Sequence, residues 1–149
     1  MILQNIEEIK LHYFGQKMQI IKRVSEGIYR SGRPNLNDNL HFLKTIMNLE
    51  DDYESVQKEW EYCRRNNIIF VWRPMSEIKK PYKHYLFYLT NIIENRFKRP
   101  ILIHCKHGHE RTGIVIAHYR MNWEGWSKWK AIREALREGF NPLMLWWFL

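Results

Sequence analysis

The sequence has no long apolar stretch and few cysteines, and it has no tract of biased composition. No apolar run is long enough to cross a bilayer, and no basic segment followed by an apolar one stands at the start, so neither a membrane span nor a secretory leader is expected. Two cysteines among 149 residues exclude a disulfide-stabilised secreted scaffold. With five prolines, seven glycines and no linker, the chain is expected to form a single domain, residues 1–149, in the reducing cytoplasm.

The sequence has fewer acidic residues than basic ones. The 24 Lys and Arg residues outnumber 16 Asp and Glu residues, which gives a net charge of +8. Such a surface attracts anions, and inositol phosphates, acidic phosphopeptides, lipid headgroups and nucleic acid all satisfy this condition. Solvated basic residues on the outer faces of helices would give the same total. The partner expected is therefore an anionic phosphorylated substrate, ahead of nucleic acid.

Apolar runs alternate with amphipathic stretches along most of the chain. Strands are predicted at residues 19–24, 27–31, 45–49, 68–72 and 101–104. Helices are predicted at residues 1–10, 53–65, 81–97 and 111–123, and from 127 onward, with a further short helix beginning at Asn37 or Asp38. This alternation indicates an α/β domain, with a central, largely parallel sheet flanked by helices on both faces.

The stretch PILIHCKHGHERTG, residues 100–113, contains the candidate catalytic residues. A short apolar strand leads through a loop into a helix that begins near Arg111. Such a connection directs backbone N–H groups and the positive end of the helix dipole at one point, which makes an anion site. Cys105, at the strand end, is expected to be a thiolate nucleophile there, and Arg111 offers a planar fork for two phosphate oxygens. The pair indicates phosphoryl transfer through a cysteinyl-phosphate intermediate.

The sequence His104-Cys105, then Gly108, then Arg111-Thr112-Gly113 resembles the signature loop of the cysteine-based protein tyrosine phosphatase superfamily. Residues 28–34, 125–127 and 138–140 are similar to segments of its atypical dual-specificity members, so the resemblance covers about residues 28–140. It implies a dual-specificity phosphatase-like fold. It also implies a phosphoric monoester hydrolase that uses neither a metal nor another cofactor.

The resemblance also implies a role for each residue of the loop. Cys105 would attack phosphorus, and Arg111 would hold the equatorial oxygens. Thr112 would donate its hydroxyl to the sulfur as the sulfur leaves. Gly108 would shape the loop through its backbone, and His104 would orient the loop from behind.

Three further side chains, Lys106, His107 and His109, give the loop more basic character than a single phosphate requires. They favour a polyphosphorylated small molecule, such as an inositol phosphate, ahead of a phosphoprotein. Members that act on RNA 5′-triphosphates resemble this chain in having a histidine where His107 lies. Glu110 would pair with one of these cations or hold the hydrolytic water. The alternative for each side chain is an outward orientation into solvent.

A general acid should protonate the leaving oxygen. The family usually supplies an aspartate from a loop that precedes the cysteine, but the corresponding loop here, residues 72–77, contains no aspartate. Glu77 is the carboxylate in that loop and is the predicted acid, with Asp51 and Asp52 as rivals. A third possibility is that no acid is required, because the leaving group is itself acidic, as a phosphate would be.

Two other functions are compatible with the same residues. An RNA 5′-phosphatase would use the same loop, and a non-catalytic phospho-ligand binding module would keep the basic rim but have a damaged loop. Cys63 also allows two interpretations. It would lie with Val56 and Trp60 on the inner face of the helix at residues 53–65, or it would form a reversible disulfide with Cys105.

Overall fold

The computed structural model describes residues 8–11 and 19–149. Within this part, six strands form one sheet: β1 (Glu8–Leu11), β2 (Gln19–Ser25), β3 (Ile28–Ser31), β4 (Thr45–Asn48), β5 (Ile69–Trp72) and β6 (Ile101–His104). Their order across the sheet is β1-β2-β3-β6-β4-β5. Strands β3, β6, β4 and β5 pair in parallel, while β1 and β2 add an antiparallel edge. The prediction of a largely parallel α/β sheet is confirmed.

Helices cover both faces of this sheet. They are α1 (Tyr53–Arg65), α2 (Lys83–Glu94), α3 (Glu110–Trp123) and α4 (Lys128–Arg137). Successive side chains of a strand point to opposite faces, and in β6 Ile101 and Ile103 pack in the core beneath α2, α3 and α4, whereas Leu102 packs with Cys63 of α1. Strand β6 is therefore buried on both sides, and its carboxyl end leads into Cys105. Among the described residues, no helix has the length and apolar character that crossing a membrane requires.

The predicted N-terminal helix is wrong where the structure can test it. Glu8–Leu11 form β1, in which Glu8 pairs with Lys22 and Leu11 pairs with Gln19. Pairing with β2 satisfies the backbone N–H and C=O groups of this segment, and it overrides the helical spacing of Ile2, Ile6 and Ile9. Residues 1–7 and 12–18 lie outside the described residues.

The short helix predicted to begin at Asn37 or Asp38 is also wrong, because this region forms turns. Asn35 Oδ1 accepts a hydrogen bond from the N–H of Asn37, and Asn39 Oδ1 accepts one from the N–H of His41, each at 2.9 Å. Asparagine side chains that bond the backbone two residues later compete with helix formation. The asparagine-rich composition thus favours turns over a helix.

Helix α1 has the predicted bounds but a different inner face. Val56 and Cys63 are buried as predicted, whereas Trp60 is 49% exposed. Glu59 is 2% exposed and occupies the inner face instead. Positions 56, 59 and 63 follow the i, i+3, i+7 spacing of one helical face. A carboxylate buried in this way requires a polar partner.

The apolar C-terminal segment packs on the domain. Residues Pro142–Phe148 form a 3-10 helix, in which Trp147 and Phe148 are buried against Phe140. Leu143 and Leu149 stay exposed. The buried aromatic residues thus hold this segment against the domain.

Candidate active site

Cys105 lies at the junction between β6 and the loop that leads into α3. Its Sγ accepts hydrogen bonds from the N–H of Gly108 at 3.2 Å and from Oγ1 of Thr112 at 3.1 Å. The side chain is 3% exposed, so the sulfur lies at the floor of its pocket rather than on the surface. Two donors are thus directed at the sulfur of the predicted nucleophile.

The loop is held from behind by β3 and the turn that follows β3. The N–H of Arg33 donates to the carbonyl of Lys106, and Nη2 of Arg30 donates to the carbonyl of Gly108, each at 3.0 Å. In a trans peptide the C=O and N–H groups point in opposite directions. The N–H groups that follow these two carbonyls, those of His107 and His109, therefore face away from β3.

Gly108 lies where a side chain would be strained and crowded. Its φ of +78° is in the left-handed region. A Cβ there would lie 2.6 Å from the backbone nitrogen of Gly32 and 2.7 Å from the carbonyl carbon of Ser31. The loop backbone therefore packs directly on the turn after β3, with no side chain between them.

Arg111 joins three loops at one rim. Its Nη1 lies 3.2 Å from Oδ1 of Asp51, and its Nη2 lies 2.9 Å from Oε1 of Glu77. Asp52 is directed at Arg33 instead, with its Oδ2 at 3.5 Å from Nη2 of that residue. The structure thus brings two of the three candidate acids to the guanidinium of Arg111, and it directs the third toward the neighbouring turn.

A pocket of about 220 Å³ opens above Cys105. It is lined by Glu77, Ile78, Cys105, His107, His109, Glu110 and Arg111. The rings of His107 and His109 stack with their centroids 6.4 Å apart, and His109 packs against Gly139. Lys106 is exposed and does not line this pocket. Two of the three additional basic side chains of the loop therefore face the space above the nucleophile.

A sequence profile described as "Tyrosine phosphatase family" matches residues 17–137. This chain belongs to the tyrosine phosphatase family. The dual specificity protein phosphatase TpbA from Pseudomonas aeruginosa (strain UCBPP-PA14) is 30% identical over 124 residues, which are 80% of this chain and 54% of TpbA. This family member therefore spans about half the length of that curated relative.

Several solved structures share the fold of this chain. The core catalytic domain of the PP-IP phosphatase SIW14 from S. cerevisiae is 29% identical, with a TM-score of 0.73, over 86% of this chain and 82% of that one. The active form of Tk-PTP is 22% identical, with a TM-score of 0.70, over 80% of this chain and 84% of that one. That second likeness concerns the fold alone. The predicted dual-specificity phosphatase-like fold is confirmed.

In this family member, His104 connects α1 to the cysteine. Its Nε2 lies 2.6 Å from Oε1 of Glu59, and its Nδ1 lies 3.2 Å from the carbonyl oxygen of Cys105. Both partners are acceptors, so the geometry favours the imidazolium, which has an N–H on each nitrogen. Complete burial alone would lower the pKa of His104. The charge and hydrogen bond of Glu59, together with the Cys105 carbonyl and the charge of Glu50, outweigh burial, and the pKa is raised.

A second buried carboxylate, Glu50, completes this network. One carboxylate oxygen each of Glu50 and Glu59 and one ring nitrogen of His104 lie within 4.8 Å of one another, a spacing that a metal site could have. Hydrogen bonds account for the group: Glu50 accepts from Nε of Arg33 at 3.0 Å, and Glu59 accepts from Nδ2 of Asn48 at 2.9 Å. The cluster therefore anchors the underside of the loop through paired charges.

Cys63 lies on the opposite face of the sheet from Cys105, in the core cluster beneath α1. Both cysteines are free. Burial raises the pKa of the Cys63 thiol to about 12, and the charge of Glu59 adds to the shift. A thiol that stays protonated is a poor partner in disulfide exchange, so the core interpretation of Cys63 is the better supported one.

Two contributors to the site were missed in the sequence. Glu59 supports His104, and its signal was a carboxylate at a position that shares a helical face with Val56 and Cys63. Ile78 lines the pocket while being 78% exposed. No local pattern indicates a pocket-lining residue within an irregular loop, so Ile78 had no comparable signal.

Proposed function

We propose that this protein is a cysteine-dependent phosphatase that hydrolyses phosphomonoesters through a cysteinyl-phosphate intermediate. The observation that carries the proposal is the position of the Cys105 sulfur, which accepts two hydrogen bonds at the floor of a pocket that also contains the fork of Arg111. Amides on the inner side of the loop and the guanidinium together match the charge that spreads over phosphate oxygens in the transition state.

The reaction would proceed in two steps. First, Cys105 Sγ forms a bond to phosphorus while the bond to the leaving oxygen breaks, and Glu77 gives that oxygen a proton. Second, a water oxygen bonds to phosphorus, the phosphorus–sulfur bond breaks, and the Glu77 carboxylate accepts the water proton. Thr112 Oγ1, at 3.1 Å from Sγ, donates to the departing sulfur.

The substrate that we propose is a polyphosphorylated small molecule, such as an inositol phosphate. Three features support it: the imidazoles of His107 and His109 in the pocket, the net charge of +8, and the fold shared with SIW14, which is described as a PP-IP phosphatase. TpbA is described as a dual specificity protein phosphatase, which supports a phosphoprotein as the second candidate. The two imidazoles above the nucleophile favour the first, because a single phosphate does not need them in addition to the loop and Arg111.

A substrate panel tests this proposal. Replacing both His107 and His109 with alanine is expected to lower kcat/KM for inositol polyphosphates about tenfold or more, since two cationic or hydrogen-bonding groups are lost. The value for a phosphotyrosine peptide should change less than about twofold, because that ligand has one phosphate to bind. The measurement is steady-state phosphate release, compared with a control in which the exposed residues His41 and His84 are replaced instead. A wild type that prefers the phosphopeptide over every inositol phosphate would refute the substrate assignment.

Glu77→Gln tests the proposed acid. We expect kcat for an alkyl phosphate to fall about a hundredfold, because general acid catalysis contributes about 10²- to 10⁴-fold. The loss for p-nitrophenyl phosphate should be much smaller, because nitrophenolate leaves without a proton. The measurement is kcat for both esters across pH, in Glu77→Gln and in Asp51→Asn. A loss that depends on the leaving group in Asp51→Asn alone would move the role to Asp51.

A further inference from the structure

Arg30 is a guanidinium buried beneath the cysteine loop. It lies on β3 opposite Ile103 of β6, and β6 is the strand that leads into Cys105. Its side chain is among the buried charged groups, with 5% exposure. Burying a charge is unfavourable unless the charge is paired or performs a function, so this residue requires an explanation.

Among the described residues, no ion pair compensates the buried charge of Arg30. Nη2 of Arg30 donates to the carbonyl of Gly108, and among the described residues Nη1 has no hydrogen-bond partner and no carboxylate forms an ion pair with the group. Burial lowers the pKa of Arg30, and the more distant charges of Glu138, Glu134 and Cys105 oppose this shift. Within the part of the chain that the structure describes, the positive charge of Arg30 is thus left without a contacting anion, and it lies within electrostatic reach of the sulfur.

We propose that Arg30 is a positioning residue for the bound phosphate, an inference that rests on the proposed function. By holding the carbonyl of Gly108, Arg30 turns that peptide so that its N–H, which belongs to His109, faces the pocket. Its own charge adds to the positive potential behind the loop. Arg30 therefore acts on the phosphate group through the loop, without touching the leaving group.

The proposal predicts a defect in anion binding that is independent of the leaving group. Arg30→Met is expected to raise the Ki of orthovanadate, and to lower kcat/KM, by about tenfold to a hundredfold. This is less than the roughly 10²- to 10³-fold cost of removing an oxyanion donor outright, because Arg30 acts on the phosphate through the loop. The loss should be equal for p-nitrophenyl phosphate and for an alkyl phosphate. Arg30→Lys, which keeps the cation, should lie closer to wild type than Arg30→Gln, which has no charge.

Arg99→Met is the matched control. Arg99 is also largely buried and bonds to Tyr119, Glu94 and backbone carbonyls, none of which line the phosphate pocket. It should lower the melting temperature without changing the vanadate Ki. If Arg30→Met does not fold, the comparison of Arg30→Lys with Arg30→Gln decides the question.

The outcomes separate this inference from the proposed function. A Ki and a kcat/KM within twofold of wild type in folded Arg30→Met, or equal Ki values for the lysine and glutamine variants, would overturn the role of Arg30 while leaving the phosphatase intact. A wild type that turns over no phosphate ester would refute the proposed function. Vanadate binding by the same variants would still test Arg30 in that case.

Discussion

Cys105→Ser is expected to abolish phosphate release while the protein still binds phosphorylated ligands. Serine keeps the shape of the side chain, and its oxygen can accept from Gly108 and Thr112 as the sulfur does. A serine hydroxyl, however, does not ionise near neutral pH, so the nucleophile is lost. The expected fall in kcat is on the order of 10⁶-fold, comparable to the removal of other enzymic nucleophiles.

Initial rates with p-nitrophenyl phosphate, and calorimetric titration with an inositol polyphosphate, measure the two parts of this prediction. Cys63→Ala is the control, because Cys63 lies in the other core cluster and its thiol has a pKa raised to about 12 by burial. Its kinetic constants should equal those of wild type even where its stability is lower. Full turnover by Cys105→Ser would end the proposal of a cysteinyl-phosphate intermediate.

Gly108→Ala is expected to cause the second large loss, in both stability and activity. Alanine in the left-handed region costs about 1–2 kcal/mol. The added Cβ would lie 2.6 Å from the Gly32 nitrogen, and overpacking of this kind costs about 1–3 kcal/mol in addition. Any relief of this contact moves the loop away from β3, which redirects the amide that faces Cys105. We therefore expect kcat/KM to fall about a hundredfold.

Gly125→Ala separates the two costs. Gly125 has a similar φ of +71°, but a Cβ there would meet nothing within 4 Å. This control should lose only the conformational part, about 1–2 kcal/mol, with unchanged kcat/KM. Urea unfolding and steady-state kinetics on both variants provide the comparison. Equal stability and activity in the two variants would contradict the close packing of the loop on the turn after β3.

The sequence predicted elements where local pattern and tertiary packing agree. Residues 53–65 form α1 with the predicted bounds, because the helical spacing of Val56 and Cys63 coincides with burial. The prediction at residues 8–11 was wrong because the partner strand, β2, decides the conformation there. At residues 35–41, asparagine side chains satisfied the backbone in a way that the spacing of apolar residues does not reveal.

For the candidate site, the same distinction holds. Cys105, Gly108 and Thr112 belong to one short stretch, so their proximity follows from the chain itself. The contact between Glu59 and His104 depends on how α1 packs under the sheet, and no spacing in the sequence encodes it. Which of Asp51 and Asp52 faces Arg111 also depends on a turn whose direction only the fold determines.

The two carbonyls that β3 and its turn hold from behind have a consequence for protein engineering. A chimera that received the Cys105–Gly113 segment alone would lose the donors at Arg30 and Arg33 that turn those carbonyls outward. The transplanted loop could then collapse inward and present oxygens, rather than amides, to the ligand. A functional graft would have to include residues 30–34 as well. The smallest transferable site therefore consists of two segments that are distant in the chain.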